Sequence, residues 1–530
     1  MSLNIDSALQ PSPLADQARA EYWNGTPLEE GEKFAEAPLR SDMCVPLEGA
    51  NDSAMDGAVT ITGTDTGSSL PGKTTPDGKS IRNAELHQGE QATVTREQTQ
   101  AGSLFNTYIS SDQVVFTTNG QGDDHVRISQ RDDGTLDIDV NGEAYEVRLT
   151  ERQELTIRTG DGNDVIEAAP NVTVNMVVDA GAGDDRVVTG MGDDRIQGGH
   201  GNDFIQTIGG RNDIDGGAGD DVIPGGEGAN VIFGGQGNDE IHAGSGFNHI
   251  DGGRGDDVIH GGDGQNIISA GGGSDQVNLS GSQNTVYTGD GCTQVEGAHA
   301  DDTVYATVND LINASGGAAP TVVNVEIDPE LGRSIVVNGS DTFQQRMEAE
   351  LDFLRASPAG QQMLAELDAA AEQGNVVTIR ELANEQNGFA QTMDRRNAEI
   401  SNGQAGSGSD VLVSYNPSFH MDAFPTSSVV LFHELSHAYN GVTGTFQPGT
   451  YQGEGPDSGR VSNAERQAVG LETSNAPFDF DGDPSTPPTT HNPMHQTENG
   501  QLRSTSLVGC KWCAMLQFVT NSDGHRMGCG

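Results

Sequence analysis

Basic residues are scarce in this chain of 530 residues: 27 Lys and Arg stand against 79 Asp and Glu, a formal net charge of −52. So acidic a molecule is repelled by phosphate backbones and by anionic bilayers, which excludes nucleic acid as a partner and favours cations. Aromatic residues make up only 5% and hydrophobic residues 33% of the sequence, too few for ordinary packed cores along its whole length. No apolar run approaches the ~20 residues that cross a bilayer as a helix, and Met1–Gln10 lacks the basic and apolar regions of a cleaved signal peptide, so any export is expected to use another route. The five cysteines, an odd number, are too few for a disulfide-built scaffold and leave the redox compartment open.

Glycine is abundant instead, with 72 residues, about twice the ~7% share usual in globular proteins. Residues 1–104 carry no sustained period of 2 or 3.6 and are expected to be largely disordered. Residues 105–158 alternate apolar and polar positions between Asp-Gly and Asn-Gly turns, which predicts a small antiparallel β cap. From 159 to 297 a nonapeptide recurs, as in Gly198–Gln206 (GGHGNDFIQ), Gly216–Pro224 (GGAGDDVIP) and Gly252–His260 (GGRGDDVIH). Its glycines permit tight turns with positive φ, its sixth-position carboxylate is placed to meet a cation, and its eighth position packs inward. This pattern resembles the calcium-binding repeats of RTX proteins, which implies a parallel β-roll with two nonapeptides per coil.

Sorted by coil, the sixth position forms two unequal ladders. One reads Asp185, Asp203, Asp221, Asp239, Asp257 and Asp275; the other begins at Asp194 and continues as Asn212, Asn230, Asn248, Asn266 and Asn284. Several structural Ca²⁺ ions are therefore expected between successive rungs of the Asp edge only, with neutral hydrogen bonds holding the Asn edge. Residues 298–320 read as a linker, and 321–530 as an α+β domain with helices near Phe343–Leu354 and Gln361–Ala371 and strands near Val376–Ile379 and Val411–Tyr415.

Within that last domain His433-Glu434-Leu435-Ser436-His437 is an H-E-x-x-H, preceded by Thr426-Ser427-Ser428 as an N-cap and followed by Asn440-Gly441 as a C-cap. On a helix, residues i and i+4 share a face, so His433 and His437 can hold one Zn²⁺ and Glu434 can serve as general base. A catalytic zinc needs a third protein ligand. Glu465 is the first choice, ahead of Glu472 and Asp457, although Ser462-x-x-Glu465 also reads as a capping box that would tie the glutamate to the backbone. Tyr439, Tyr451 and Arg503 are candidate oxyanion donors, and the strand Val411–Tyr415 is a candidate edge for an extended peptide. Cys510-x-x-Cys513 lacks the second half of a structural zinc site.

The 321–530 domain resembles the M91 zinc peptidases, a family that includes type III secreted effector proteases. The likeness rests on Phe343…Leu354…Ser357-Pro358-Ala359-Gly360, Val411–Tyr415, the His433–Asn440 helix, Glu465–Gly470 and Thr497–Arg503. It implies a zincin-like fold, Glu465 as third zinc ligand, and protein substrates, with host signalling proteins as the class. The multidomain chain then reads as a secreted or host-delivered zinc endopeptidase whose repeats fold on calcium. The alternative is a calcium-binding adhesion or scaffold protein with an inactive protease-like domain.

Overall fold

The computed structural model describes residues 58–103, 106–315, 318–382, 388–418, 427–453, 458–468 and 473–475. Glycine spacing dictates the centre of the molecule. In each coil the chain turns through glycines at positive φ, such as Gly217 (φ 106°) and Gly219 (φ 139°), and a Cβ at either would lie within about 2 Å of the Gly199 or Gly201 carbonyl one coil earlier (2.2 and 1.9 Å). Only glycine lets backbones stack that closely. The result is a parallel β-solenoid, as expected. On one sheet Ile196, Ile214, Ile232, Ile250, Ile268, Val286, Val304 and Val322 pair in register, and on the other Val187 pairs with Ile205, and Ile223, Ile241, Ile259, Val277, Val295 and Ile312 follow. The eighth-position side chains Ile205, Ile223, Ile241 and Ile259 of one sheet and Ile214, Ile232, Ile250 and Ile268 of the other are all buried and together close the core.

Three expected boundaries move. Residues 298–320 are not a linker: strands Thr303–Ala306 and Leu311–Ala314 add further coils, and Thr321–Asn324 pairs with Thr303–Ala306. The glycines fade there while the inward aliphatic residues persist, and those residues carry the stack. The cap is not a separate unit either. Its antiparallel strands His125–Gln130, Leu136–Val140 and Glu143–Arg148 form as expected, but His125–Gln130 and Asn106–Thr118 also pair in parallel with the first coil. Finally, the described part of 1–104 is structured. Ser80–Gln88 and Ala92–Ser103 form an antiparallel pair that continues into Asn106–Thr118, and Val59–Thr62 adds to Glu143–Arg148. Val94, Val114 and Phe116 are buried there against Tyr145 and Ile61.

After the solenoid comes a smaller α/β region. Its strands β1 (Val336–Asn338), β2 (Val377–Glu381), β3 (Gly388–Thr392) and β4 (Val411–Tyr415) form a sheet in the order β1-β2-β4-β3, with β3 antiparallel to β4. Helices α1 (Asp341–Arg355), α2 (Pro358–Glu372), α3 (Arg395–Ala398), α4 (Ser427–Val442) and α5 (Asn463–Ala468) accompany it. Ser340 and Ser357 cap α1 and α2, their hydroxyls accepting from the Phe343 and Gly360 amides. The buried faces of α1, α2 and α4 meet the sheet in a core that includes Met347, Leu351, Met363, Leu367, Ile379, Val413, Leu431 and Leu435.

This region docks on the solenoid through α1. Gln197 donates to Thr342 (2.9 Å), Phe353 packs edge-on against Tyr287 and His249, and the Arg346 guanidinium lies over the Phe233 ring (5.0 Å). Arg346 also faces Asp213 (3.8 Å) and Glu350 (3.9 Å), all three buried. No helix among the described residues is long and apolar enough to cross a membrane.

Candidate metal centre and calcium ladder

The H-E-x-x-H lies on α4, as expected. A helical turn of 3.6 residues puts His433 and His437 on one face, and their Nε2 atoms approach to 3.2 Å. Asn440 does not cap the helix. It lies inside α4, its side-chain oxygen accepting from Thr445 (3.2 Å) and Gln467 (3.0 Å), while Gly444 at φ 71° follows the last turn. Gly441 is needed for closeness instead, since a Cβ there would meet Val411 at 2.5 Å.

Glu465 enters from α5. The Ser462 hydroxyl accepts from the Glu465 amide (3.1 Å), so Ser462 does act as a cap. The carboxylate, however, points to the histidines: its Oε2 lies 3.5 Å from His433 Nε2 and 3.4 Å from His437 Nε2. A tetrahedral ion with bonds of about 2.0–2.1 Å requires its ligand atoms to be about 3.3–3.4 Å apart. Three edges of 3.2, 3.5 and 3.4 Å are therefore one face of such a tetrahedron, and the donor set of two imidazoles and one carboxylate suits Zn²⁺. Burial alone would raise the Glu465 carboxyl, but the His437 and His433 rings override it and hold it well below the usual carboxylate range.

Glu434, adjacent to the histidine face, reaches toward β3, where a Cβ on Gly388 would meet its Cγ at 3.4 Å. Burial pushes its carboxyl up to about 7, with His433 and a hydrogen bond from the Ala390 amide drawing it down and Glu465 adding to the rise.

Buried Gln467, two residues past Glu465, locks α5 against α4. It donates to the Asn440 side chain (3.0 Å) and the Thr445 carbonyl (2.9 Å) and accepts from the Gln447 amide (3.0 Å). At the other end of α4, Ser428 pairs with His249 of the solenoid (3.2 Å), and burial, with Arg346 nearby, holds that imidazole down at about 3 and hence neutral. Sequence reasoning missed both; a glutamine two residues after a ligand carries no signal of its own, and the His249 contact spans 179 positions.

Other expected residues are placed differently. Tyr439, two residues past His437, turns to the opposite side of α4 and sits in the hydrophobic core, away from the metal face. Tyr451 lies beneath the Arg466 guanidinium (3.8 Å). Arg503, Glu472, Asp457, Cys510 and Cys513 lie outside the described residues. Strand β4 is not an edge: β2 and β3 pair with it on both sides, and β3 is the sheet's edge nearest Glu434.

Along the solenoid the two ladders differ as their residue types dictate. Each Asp of the acidic ladder accepts the backbone N–H of the rung before it through Oδ1, from Asp164→Asp185 (2.7 Å) to Asp257→Asp275 (3.1 Å). The second oxygen, Oδ2, of Asp185, Asp203, Asp221, Asp239 and Asp257 is buried with no hydrogen-bond partner. Beside it lies the first glycine of the same repeat, where a Cβ would fill the space: at Gly216 it would be 2.4 Å from Asp221 Oδ2 and 2.5 Å from the Gly234 carbonyl oxygen. Burial, offset by those backbone hydrogen bonds, raises Asp185, Asp203 and Asp239 to about 7, Asp221 and Asp257 to about 8 and Asp275 to about 6. On the other edge the asparagine amides close on each other, with Asn212 donating to Asn230 (2.9 Å), Asn248 to Asn266 (3.0 Å) and Asn266 to Asn284 (3.1 Å). A stack of carboxylate and carbonyl oxygens suits Ca²⁺; on the other edge only the first rung, Asp194, keeps a buried Oδ2 without a hydrogen-bond partner, and the asparagine amides that follow it are satisfied.

The chain thus joins a β-solenoid carrying a stack of buried carboxylates to an α/β region carrying a convergent His-His-Glu cluster. Residues 179–207, 206–241 and 242–277 match the RTX calcium-binding nonapeptide repeat, and residues 332–505 match Peptidase_M91, described as an effector protein. The repeat matches precede the M91 match along the chain. No curated protein and no solved structure gives a significant match.

Proposed function

We propose that the chain is a zinc-dependent endopeptidase of the effector or toxin type, secreted or delivered into another cell, that hydrolyses protein substrates. One observation carries this reading: His433, His437 and Glu465 converge as three corners of a tetrahedron, with Glu434 one residue from the first ligand. His433, His437 and Glu465 would hold the ion, which when bound supplies a polarised water and a Lewis acid for the scissile carbonyl. Glu434 accepts the proton from the attacking water and passes it to the leaving nitrogen. Edge strand β3, whose Ala390 amide already bonds Glu434, offers backbone groups to an extended peptide beside the general base. Tyr451 and Arg503 are the donors proposed for the oxyanion.

Calcium bound along the Asp edge alone completes the design. The carboxylates repel one another before ions bind and draw the coils together afterwards, so the roll forms where calcium is plentiful. Because α4 is anchored to the roll by His249 and α1 lies on it, forming the roll also seats the peptidase.

The test is cleavage of a generic unfolded protein by wild type and Glu434→Gln, with zinc measured in both. Cleavage lost with zinc retained supports the enzyme. No cleavage by the zinc-loaded, calcium-loaded wild type overturns it in favour of an inactive scaffold.

A further inference from the structure

The structure assigns a second transition-metal site to the chain, on the outer face of the solenoid, built from Glu240, His242 and His260. In most coils the seventh and ninth positions of the Asp-edge nonapeptide carry groups that no metal needs: Phe204 and Gln206, Val222 and Pro224, Gln276 and Asn278. Two adjacent coils depart together. One supplies Glu240 and His242, the next His260, and strand pairing places His242 directly opposite His260. The imidazoles stack with centroids 4.4 Å apart and planes within 4°, and His242 Nε2 lies 2.8 Å from Glu240 Oε1. One ligand atom from each of the three residues falls within 4.8 Å of the others, and all three side chains are half-buried.

Two imidazoles and a carboxylate suit borderline divalent ions such as Zn²⁺, and not Ca²⁺, which takes oxygen ligands. The site is thus no extension of the calcium ladder. It is also separate from the peptidase, because Glu240, His242 and His260 belong to one sheet of the solenoid while His249 and Phe233, which meet the peptidase region, belong to the other. Ligand atoms up to 4.8 Å apart must close toward the ~3.3 Å of a tetrahedral site, so binding requires the two rings to tilt out of their parallel stack. Both side chains stand on a sheet surface where such rotamer changes displace no core residue.

The experiment uses the full, calcium-loaded chain equilibrated with micromolar free Zn²⁺, with bound zinc counted by elemental analysis in wild type, His242→Ala/His260→Ala and His433→Ala/His437→Ala. Circular dichroism confirms that each variant keeps the calcium-loaded strand signal. The expected result is one zinc equivalent fewer in His242→Ala/His260→Ala than in wild type, with protein cleavage unchanged, and a loss of at least tenfold in the affinity of that equivalent in Glu240→Gln. Equal zinc content in wild type and His242→Ala/His260→Ala overturns the proposal. The difference between those two proteins does not depend on whether His433 and His437 hold zinc; an empty peptidase site shows instead as no difference between wild type and His433→Ala/His437→Ala.

Discussion

Arg346 balances the join between the solenoid and the peptidase region, and replacing it with methionine tests that role. Methionine keeps most of the volume of the arginine stem and removes only the charge. The guanidinium faces buried Asp213 (3.8 Å) and Glu350 (3.9 Å) and covers Phe233, and it also draws on the nearby carboxyls of Asp215 and Asp251. Deleting one partner of a buried ion pair costs about 3–5 kcal/mol, because the remaining charge is stranded, and the lost cation–π contact adds about 0.5–2 kcal/mol. Separations near 4 Å are long for a direct ion pair, which places the expected total at the lower end, about 3 kcal/mol. The effect depends on pH. Burial raises Asp215 to about 7 and Asp251 well above its ordinary value, so between about pH 4 and these raised values the folded state binds protons that the unfolded chain does not. Stability from these groups therefore falls as pH rises through that window, and the stranded carboxylates of the variant make the fall steeper. Hydrogen exchange of the α1 amides in calcium-loaded protein should show opening easier by about 3 kcal/mol at pH 8 and by clearly less at pH 5.5. A change below about 1 kcal/mol at pH 8 would refute the charge-balancing role.

Three further outcomes follow from the same geometry. Because burial lifts the ladder aspartates to about 6–8, the ion-free solenoid loses stability as pH rises from about 4 to 8; in chelator its circular dichroism should show more strand at pH 5 than at pH 8, and equal spectra would contradict the ladder's burial. Calorimetric calcium titration at pH 8 should saturate near five strongly bound ions, one between each pair of neighbouring rungs from Asp185 to Asp275, and a value near ten would place ions on the asparagine edge as well. Gln467→Leu, which strands the Gln447 amide and removes the donor shared by Asn440 and the Thr445 carbonyl, should weaken zinc binding about 10–100-fold while leaving the solenoid's calcium response intact, and unchanged zinc affinity would remove Gln467 from the support of the site.

How far the sequence could be read depended on whether the deciding signal was local. The glycine period and the inward aliphatic position repeat every nine residues, so the solenoid and its two unequal edges were legible, as was the pair of histidines on one turn of α4. Residues 80–103 were not, because strands such as ATVTREQTQAGS alternate threonine with charged or amide residues and lack the apolar stripe that marks a strand. The coils beyond 297 were missed for the converse reason: Val304 and Ile312 keep the inward position after the glycines have gone. Glu465 offered two local readings, and the structure realises part of both, with the serine capping the helix and the carboxylate aimed at the histidines. Whether β4 is an edge strand depends on the order in which distant segments pair, and the docking of Arg346 and His249 joins residues more than a hundred positions apart; no local pattern encodes either.

The metal centre is tested most directly by anomalous X-ray scattering across the zinc absorption edge from calcium-loaded crystals. The account predicts a peak about 2.0–2.1 Å from His433 Nε2, His437 Nε2 and a Glu465 carboxylate oxygen, with Glu434 beside it and not bound to it. An empty site in zinc-replete crystals, or a peak there with Glu465 turned away, would contradict it.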